Sequence, residues 1–229
     1  SLMGLENAKT KLLKSPFNYS ENAYLYVPKD MPETSNRLFN NHLVSHIYPL
    51  IIASKGRAFI LSTSIKSMNE ITSLIKEEFE RNNISYPILT QGTGSKTKLL
   101  EQFKSHGNAI LIGSLSFWEG VDVRGPNLSL VIIDKLPFQS PGDPIFESKI
   151  NMLSDKGINA FMTFQLPKAI IALKQGAGRL IRDEMDKGVL MICDQRIVSK
   201  PYGKRFWRSL PDFKRTREQD DVIEFLKHL

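Results

Sequence analysis

The sequence predicts an α/β fold, a doubly wound, mostly parallel sheet with helices on both faces. Short apolar runs at 58–61, 109–113, 128–133 and 189–192 are bounded by polar turns and are too short for helices. Stretches of helical spacing alternate with them, as at Ile71, Leu74, Ile75 and Phe79. The runs are continuously apolar, the pattern of strands covered on both sides.

The chain has 229 residues, enough for one large domain or two small ones, and one core is the simpler reading. With 41% hydrophobic and 24% charged residues it has an ordinary globular composition. No apolar run reaches the length of a membrane span and no signal peptide is visible, so no membrane partner is expected. The single cysteine, Cys193, forbids an internal disulfide and fits a reducing cytoplasm. This chain alone therefore cannot supply a four-cysteine iron–sulfur site. A net charge of +7 suits an anionic partner such as nucleic acid, although many basic proteins bind none.

In chain order, Ser1-Leu2 ahead of Met3 reads as a tag remnant. Residues 1–33, broken by Pro16, Pro28 and Pro32, are expected to be tag and lead-in from an upstream domain, with the domain proper at 34–229. Within the lead-in, 23–27 predicts a short edge strand. Residues 34–53 have helical spacing, and there His42 and His46 stand at i, i+4. That spacing can place two imidazoles on one metal, but Leu43 occupies the glutamate position of HExxH and no third ligand follows. Surface or packing histidines are expected, and no metal site.

The run 58–61 leads through Ser62-Thr63-Ser64 into a helix, which opens a βα unit. Hydroxyls and free amides at such a turn can hold a phosphate; plain N-capping by Ser64 is the other reading. A short strand at 87–89 and a helix around 98–103 flank Gly92-Thr93-Gly94-Ser95-Lys96-Thr97. The phosphate-loop reading fails there, because Ser95 stands where a Walker A sequence needs glycine before lysine. Pro137, Pro141 and Pro144 predict a rigid loop after the strand 128–133. The tail 196–217 interleaves Lys204, Arg205 and other cations with Tyr202, Phe206, Trp207 and Phe213, the composition of a single-strand contact surface. Phe206 and Leu210 at i, i+4 predict inward packing instead, with the cations on a solvated face. A short helix closes the chain at 218–229.

The stretch 175–182 organises the functional reading. Read as a helix, it puts Gln175, Arg179 and Arg182 on one stripe, opposite an apolar face of Leu166, Ala169, Ile170, Leu173, Ala177 and Leu180. Paired guanidiniums suit bidentate contact with phosphate oxygens. Gly176 and Gly178 each cost a helix about 1 kcal/mol relative to Ala, which predicts a close approach to the backbone. A solvated basic face is the plain alternative for this stretch taken alone.

Gln175, Gly178, Arg179 and Arg182 resemble motif VI of superfamily 2 helicases, and 116–122 (Ser-Phe-Trp-Glu-Gly-Val-Asp) resembles motif V of their XPD/DinG branch. The run 130–138, Asp143-Pro144, the segment 193–196 and Tyr202-Gly203-Lys204-Arg205-Phe206 follow in family order. From about 57 to 211 the chain resembles the RecA-like C-terminal motor domain of a bacterial DinG/XPD-type ATP-dependent DNA helicase, YoaA-like members included.

That resemblance implies the following roles. Arg179 and Arg182, with Gln175, are the catalytic candidates reaching the γ-phosphate. Glu119, Gly120, Asp122 and Gly178 face the nucleotide. Ser62, Thr63, Ser64, Ser114, Ser116, Phe117, Trp118, Lys204 and Arg205 lie toward single-stranded DNA, although Phe117 and Trp118 are equally readable as core rings. ATP and Mg2+ are bound mainly by the N-terminal motor domain of the same polypeptide, since neither a Walker A loop nor an Asp-Glu-x-His box is found here. The family also implies five-prime to three-prime polarity, a role in DNA repair, and in many members an iron–sulfur cluster on the other half. On this reading the chain is half of an active site. The rival is a non-enzymatic basic nucleic-acid-binding module.

Overall fold

The computed structural model describes residues 17–114, 117, 125–139 and 142–229. A seven-stranded sheet of order β3-β4-β2-β5-β6-β1-β7 runs through the molecule. Its strands are β1 (Ala23–Tyr26), β2 (Ala58–Ser62), β3 (Ile88–Thr90), β4 (Ile110–Ser114), β5 (Leu130–Ile133), β6 (Gly188–Ile192) and β7 (Lys214–Thr216), and every pairing is parallel. The helices are α1 (Tyr19–Asn22), α2 (Phe39–Ala53), α3 (Ile65–Arg81), α4 (Lys96–His106), α5 (Pro144–Asp155), α6 (Leu166–Ala177), α7 (Arg196–Ser199), α8 (Gly203–Ser209) and α9 (Gln219–Lys227). A π-helical turn, Phe161–Gln165, leads into α6.

The apolar runs divide by strand alternation. Ala58 and Ile60 pack with α2, α3 and α9, while Phe59 and Leu61 pack with α4, α6 and α8. The same split holds for Leu130 and Ile132 against Val131 and Ile133, and for Val189 and Met191 against Leu190 and Ile192. Each such side chain contributes about 1.5–3 kcal/mol by leaving water, so the twofold covering accounts for the unbroken apolar runs.

Helix starts follow local capping chemistry. Ser64 accepts from the Ser67 amide at 3.1 Å, and Ser95 accepts from the Lys98 amide at 3.3 Å. The serine that spoils the phosphate-loop pattern is therefore the cap of α4. Asp143 accepts from the Ile145 and Phe146 amides at 2.9 and 3.2 Å, with Pro144 at the first helical position. The expected proline-stiffened loop is thus a helix from Pro144 onward; Pro144 starts α5 because its missing N–H would have had no helical partner anyway.

Two further differences concern the edge of the sheet. Segment 23–27 is not an edge strand, since β1 pairs with β6 on one side and β7 on the other. The sheet draws these residues in ahead of position 34. Strand β7 was hidden by its charge: an exposed edge strand of Lys214, Arg215 and Thr216 has no apolar alternation to read.

Strand order reverses around β2, which is flanked by β4 and β5, so the loops at its carboxyl end bound a crevice of the kind where open parallel sheets hold ligands. At the opposite end Gly188 starts β6 under close contact. A Cβ there would lie 2.4 Å from the Ser129 carbonyl oxygen and 2.7 Å from Leu180 Cδ1. Replacing Gly188 with Ala is expected to cost about 1–3 kcal/mol of stability, read from the urea midpoint. An unchanged midpoint would mean that the end of β5 yields freely.

Candidate functional site

Helix α6 buries Leu166, Ala169, Leu173 and Ala177 as the spacing predicts, but it ends at Ala177 rather than running through Arg182. The Gly178 amide bonds Lys174 O at 2.9 Å, then Arg179 N and Leu180 N turn back to Gly176 O and Ala177 O at 3.1 and 3.2 Å. Two poor helix formers, Gly176 and Gly178, weaken the last turn, and Leu180 and Ile181 then drop into the core. Gln175, Arg179 and Arg182 therefore do not share a helical stripe. Gln175 is exposed on the last turn of α6, Arg179 sits half-buried in the following turn, and Arg182 is half-buried in irregular chain beyond it. A Cβ on Gly178 would meet only carbonyls of its own helix, Lys174 O at 3.2 Å and Gln175 O at 3.7 Å. Its local role is to end the helix.

This turn lies at the amino ends of the strands, with Leu180 against Gly188. Asp186 is buried there. Its Oδ2 accepts from the amides of Arg182 and Asp183, both at 2.9 Å, and its Oδ1 accepts from the Gly125 amide at 3.1 Å. Nothing in the spacing singled it out.

The other edge gathers around Asp134, directly after β5 and fully buried. Its Oδ1 accepts from the Thr63 amide at 2.9 Å and the Lys135 amide at 2.6 Å; its Oδ2 accepts from the Ser67 hydroxyl at 3.1 Å. The turn 62–64 is thus strapped to β5 by one carboxylate. Ser64 is exposed and Thr63 half-buried, its hydroxyl also directed at Asp134 Oδ2 at 3.4 Å, but Ser62 is wholly buried, as the last residue of a strand covered on both sides. Its side chain is not placed as expected for a ligand contact. Ser114, also buried, gives its amide and hydroxyl to Gln91 Oε1 at 2.7 and 2.9 Å.

Of the segment resembling motif V, Ser116, Trp118, Glu119, Gly120 and Asp122 lie outside the described residues. Phe117 is a core ring, 4% exposed, edge-on to Phe59 at 6.3 Å and seated over Gly113, where a Cβ would come within 2.8 Å of it. Of the two readings of that ring, the core one describes its position.

The basic tail divides by partner. Arg196 is bound to the fully buried Asp194 by three guanidinium bonds of 2.6–3.0 Å, and Asp194 also accepts from the Leu136 amide at 2.8 Å. Arg217 bonds Val27 O, Pro28 O and Gln195. Phe206, Leu210 and Phe213 are buried. Lys204 and Arg205 are exposed on α8, and Lys200, Lys204, Arg208 and Arg215 line a groove of about 690 Å3 beside Trp207. No group of three or more His, Cys, Asp or Glu among the described residues is arranged to hold a metal ion, and no helix among them is long and apolar enough to cross a membrane.

A seven-stranded, all-parallel sheet of this order with helices on both faces defines a RecA-like α/β domain. Residues 47–213 match the helicase C-terminal domain family, and the chain belongs to that family. It fits the second motor domain of the YoaA/DinG type of superfamily 2 helicase. It is 47% identical over 226 residues to the ATP-dependent DNA helicase YoaA of Haemophilus influenzae, covering 99% of this chain and 34% of that protein. Against the YoaA of Escherichia coli it is 48% identical, with 99% and 35% covered. The ATP-dependent helicase DinG of Mycobacterium tuberculosis is 35% identical over 216 residues, 94% of this chain and 32% of its own length. The chain thus spans about a third of these relatives. A solved XPD helicase shares the fold with a TM-score of 0.62 at 20% identity, over 85% of this chain and 35% of that one.

Burial holds the Asp134 carboxyl up at about 6, against an ordinary 3.8, even though the Lys135 amide, the Ser67 hydroxyl, the Thr63 amide and the Lys135 charge all pull it down. The folded state therefore binds this proton more tightly than the unfolded chain. The stability it contributes is complete below about pH 4 and is lost as pH rises through about 6. Wild-type stability relative to Asp134→Asn is expected to fall across that window in denaturant titrations; a flat difference would show that Asp134 titrates normally.

Proposed function

We propose that this chain is the second motor lobe of an ATP-dependent DNA helicase. On this reading it completes an ATP site with Arg179 and Arg182 and grips single-stranded DNA along its other edge. The observation that carries it is the opposed placement of two chemistries on one rigid sheet. The arginine turn lies at the amino ends of the strands, and the Thr63–Ser64 turn lies at the carboxyl ends. Relatives named as ATP-dependent DNA helicases at 47–48% identity support the assignment.

The proposed chemistry follows from charge. Phosphoryl transfer gathers negative charge on the γ-phosphate oxygens, and a guanidinium brought to them stabilises the transition state more than the ground state. Arg179 and Arg182 sit half-buried on and just past the turn that ends α6, and on this reading lobe closure brings their forks to a phosphate held by the facing lobe. Glu119, Gly120 and Asp122 are proposed to meet the nucleotide from the preceding loop, with Gln175 and Gly178 beside the arginines. Mg2+ and the P-loop contacts are assigned to the other lobe of the same polypeptide. Each cycle would close and reopen the cleft and move the strand by a step.

On the carboxyl edge, the Thr63–Ser64 turn, with Thr63 held to Asp134 and Ser64 capping α3, is proposed to present the amino end of that helix to backbone phosphates. Ser116 and Trp118 are proposed to lie along the same path, with Lys204 and Arg205 adding charge. Ser62, Ser114 and Phe117 act from behind, as packing and hydrogen-bonding support.

In the full-length protein, Arg182→Ala is expected to lower kcat for ATP about 10³-fold while single-strand affinity stays within about twofold. Lost DNA affinity with hydrolysis intact would overturn the assignment. The isolated chain is expected to show no DNA-stimulated ATP turnover in a phosphate-release assay. Replacing Lys204 with Ala should weaken single-strand binding for all sequences alike and reduce the salt slope by about one; an unchanged slope would exclude a phosphate contact there.

A further inference from the structure

Between the arginine turn and β6 the chain places one carboxylate that the proposed chemistry does not use. Asp186 is 7% exposed and meets three backbone amides at 2.9–3.1 Å. The bonds fall in two sets. Oδ2 takes the consecutive amides of Arg182 and Asp183, and Oδ1 takes Gly125 on the segment that enters β5. Arg182 and Asp183 belong to no helix or strand. Ile181 is 5% exposed and anchors the chain on one side, so Arg182 is the first residue to leave the core.

We propose that Asp186 is a positioning residue for Arg182, fixing the backbone from which that guanidinium is delivered and tying it to Gly125. The inference rests on the reading of Arg182 as an arginine finger. A long side chain with several free torsions reaches a transition state reproducibly only from a fixed Cα, and a misplacement of about 1 Å can cost roughly 100-fold in rate. An ionised carboxylate is a stronger acceptor for those amides than water or a neutral group. It also sets two segments, 125 and 182–183, at one mutual distance, so a shift of either is felt by the other.

The test uses the full-length protein, with Asp186→Ala and Asp186→Asn each made alone and in an Arg182→Lys background. ATP turnover at saturating single strand, KM for ATP, single-strand affinity and thermal unfolding are measured for each. Asp186→Ala should lower kcat about 10- to 100-fold with KM and strand affinity within about twofold. Asp186→Asn should lose less, because its carbonyl oxygen still serves the Arg182 and Asp183 amides while the bond to Gly125 is lost. In the Arg182→Lys background Asp186→Ala should cost less than about threefold, since the group it positions is gone. The full factor persisting there overturns the inference, as does wild-type kcat in both Asp186 variants while Arg182→Lys is impaired. Full turnover by Arg182→Lys removes the finger reading itself, and this inference with it. If Asp186→Ala does not fold, Asp186→Asn carries the same comparison.

Discussion

Carboxylates buried at strand ends, each satisfied by amides of the adjoining loops, hold the loops at both ends of this sheet in place. Asp134, Asp186 and Asp194 are all at or near zero exposure, and each accepts from at least two backbone N–H groups. A parallel sheet sends every connection over one of its ends, so those loops leave many amides without ladder partners. Water satisfies them on the surface. Where the loop must stay rigid, an internal acceptor does so, at the cost of desolvating an ion. Asp134 shows that cost in its raised proton affinity. Leaving such an amide or its acceptor unpaired costs about 1–3 kcal/mol, more for a charged group, which is why the loops do not drift from their carboxylates.

The two edges are separated by the length of a strand. β2 has five residues, about 16 Å from end to end at the usual rise. On the proposed reading nucleotide and strand contacts share one body, so that moving one moves the other, and a sheet packed on both faces is such a body. Nothing flexible is required between them. The turns at the ends of the sheet are the places the carboxylates hold.

How much of this was legible in the sequence depends on which force fixes each part. Ile60, Leu111, Ile132 and Leu190 are buried by the hydrophobic effect, which writes itself into composition, so the central strands and both helical layers were readable. β7 owes its place to backbone pairing alone, and α5 to a cap and a proline, so neither left an apolar period. The arginine pair was legible as a motif but not as a geometry, because the end of a helix depends on which residues beyond it find the core. Leu180 and Ile181 do so, and the stripe dissolves. Asp134 and Asp194 carried a weak signal, an acid directly after an apolar run. Asp186 carried none, since its amide partners lie three and four residues away on one side and about sixty on the other.

The broken helix has a consequence for how the arginines act. On a continuous helix they would be fixed relative to each other by one axis and would move together. Here Arg179 gives its amide to Gly176 O and so belongs to the end of α6, while Arg182 is held through Asp186 to the entry of β5. The two guanidiniums thus report on different elements. A phosphate that engaged both would bring the end of α6 and the entry of β5 into one defined relation, and its departure would release that relation. The pair is thus held by two short tethers of different origin rather than by one helical stripe.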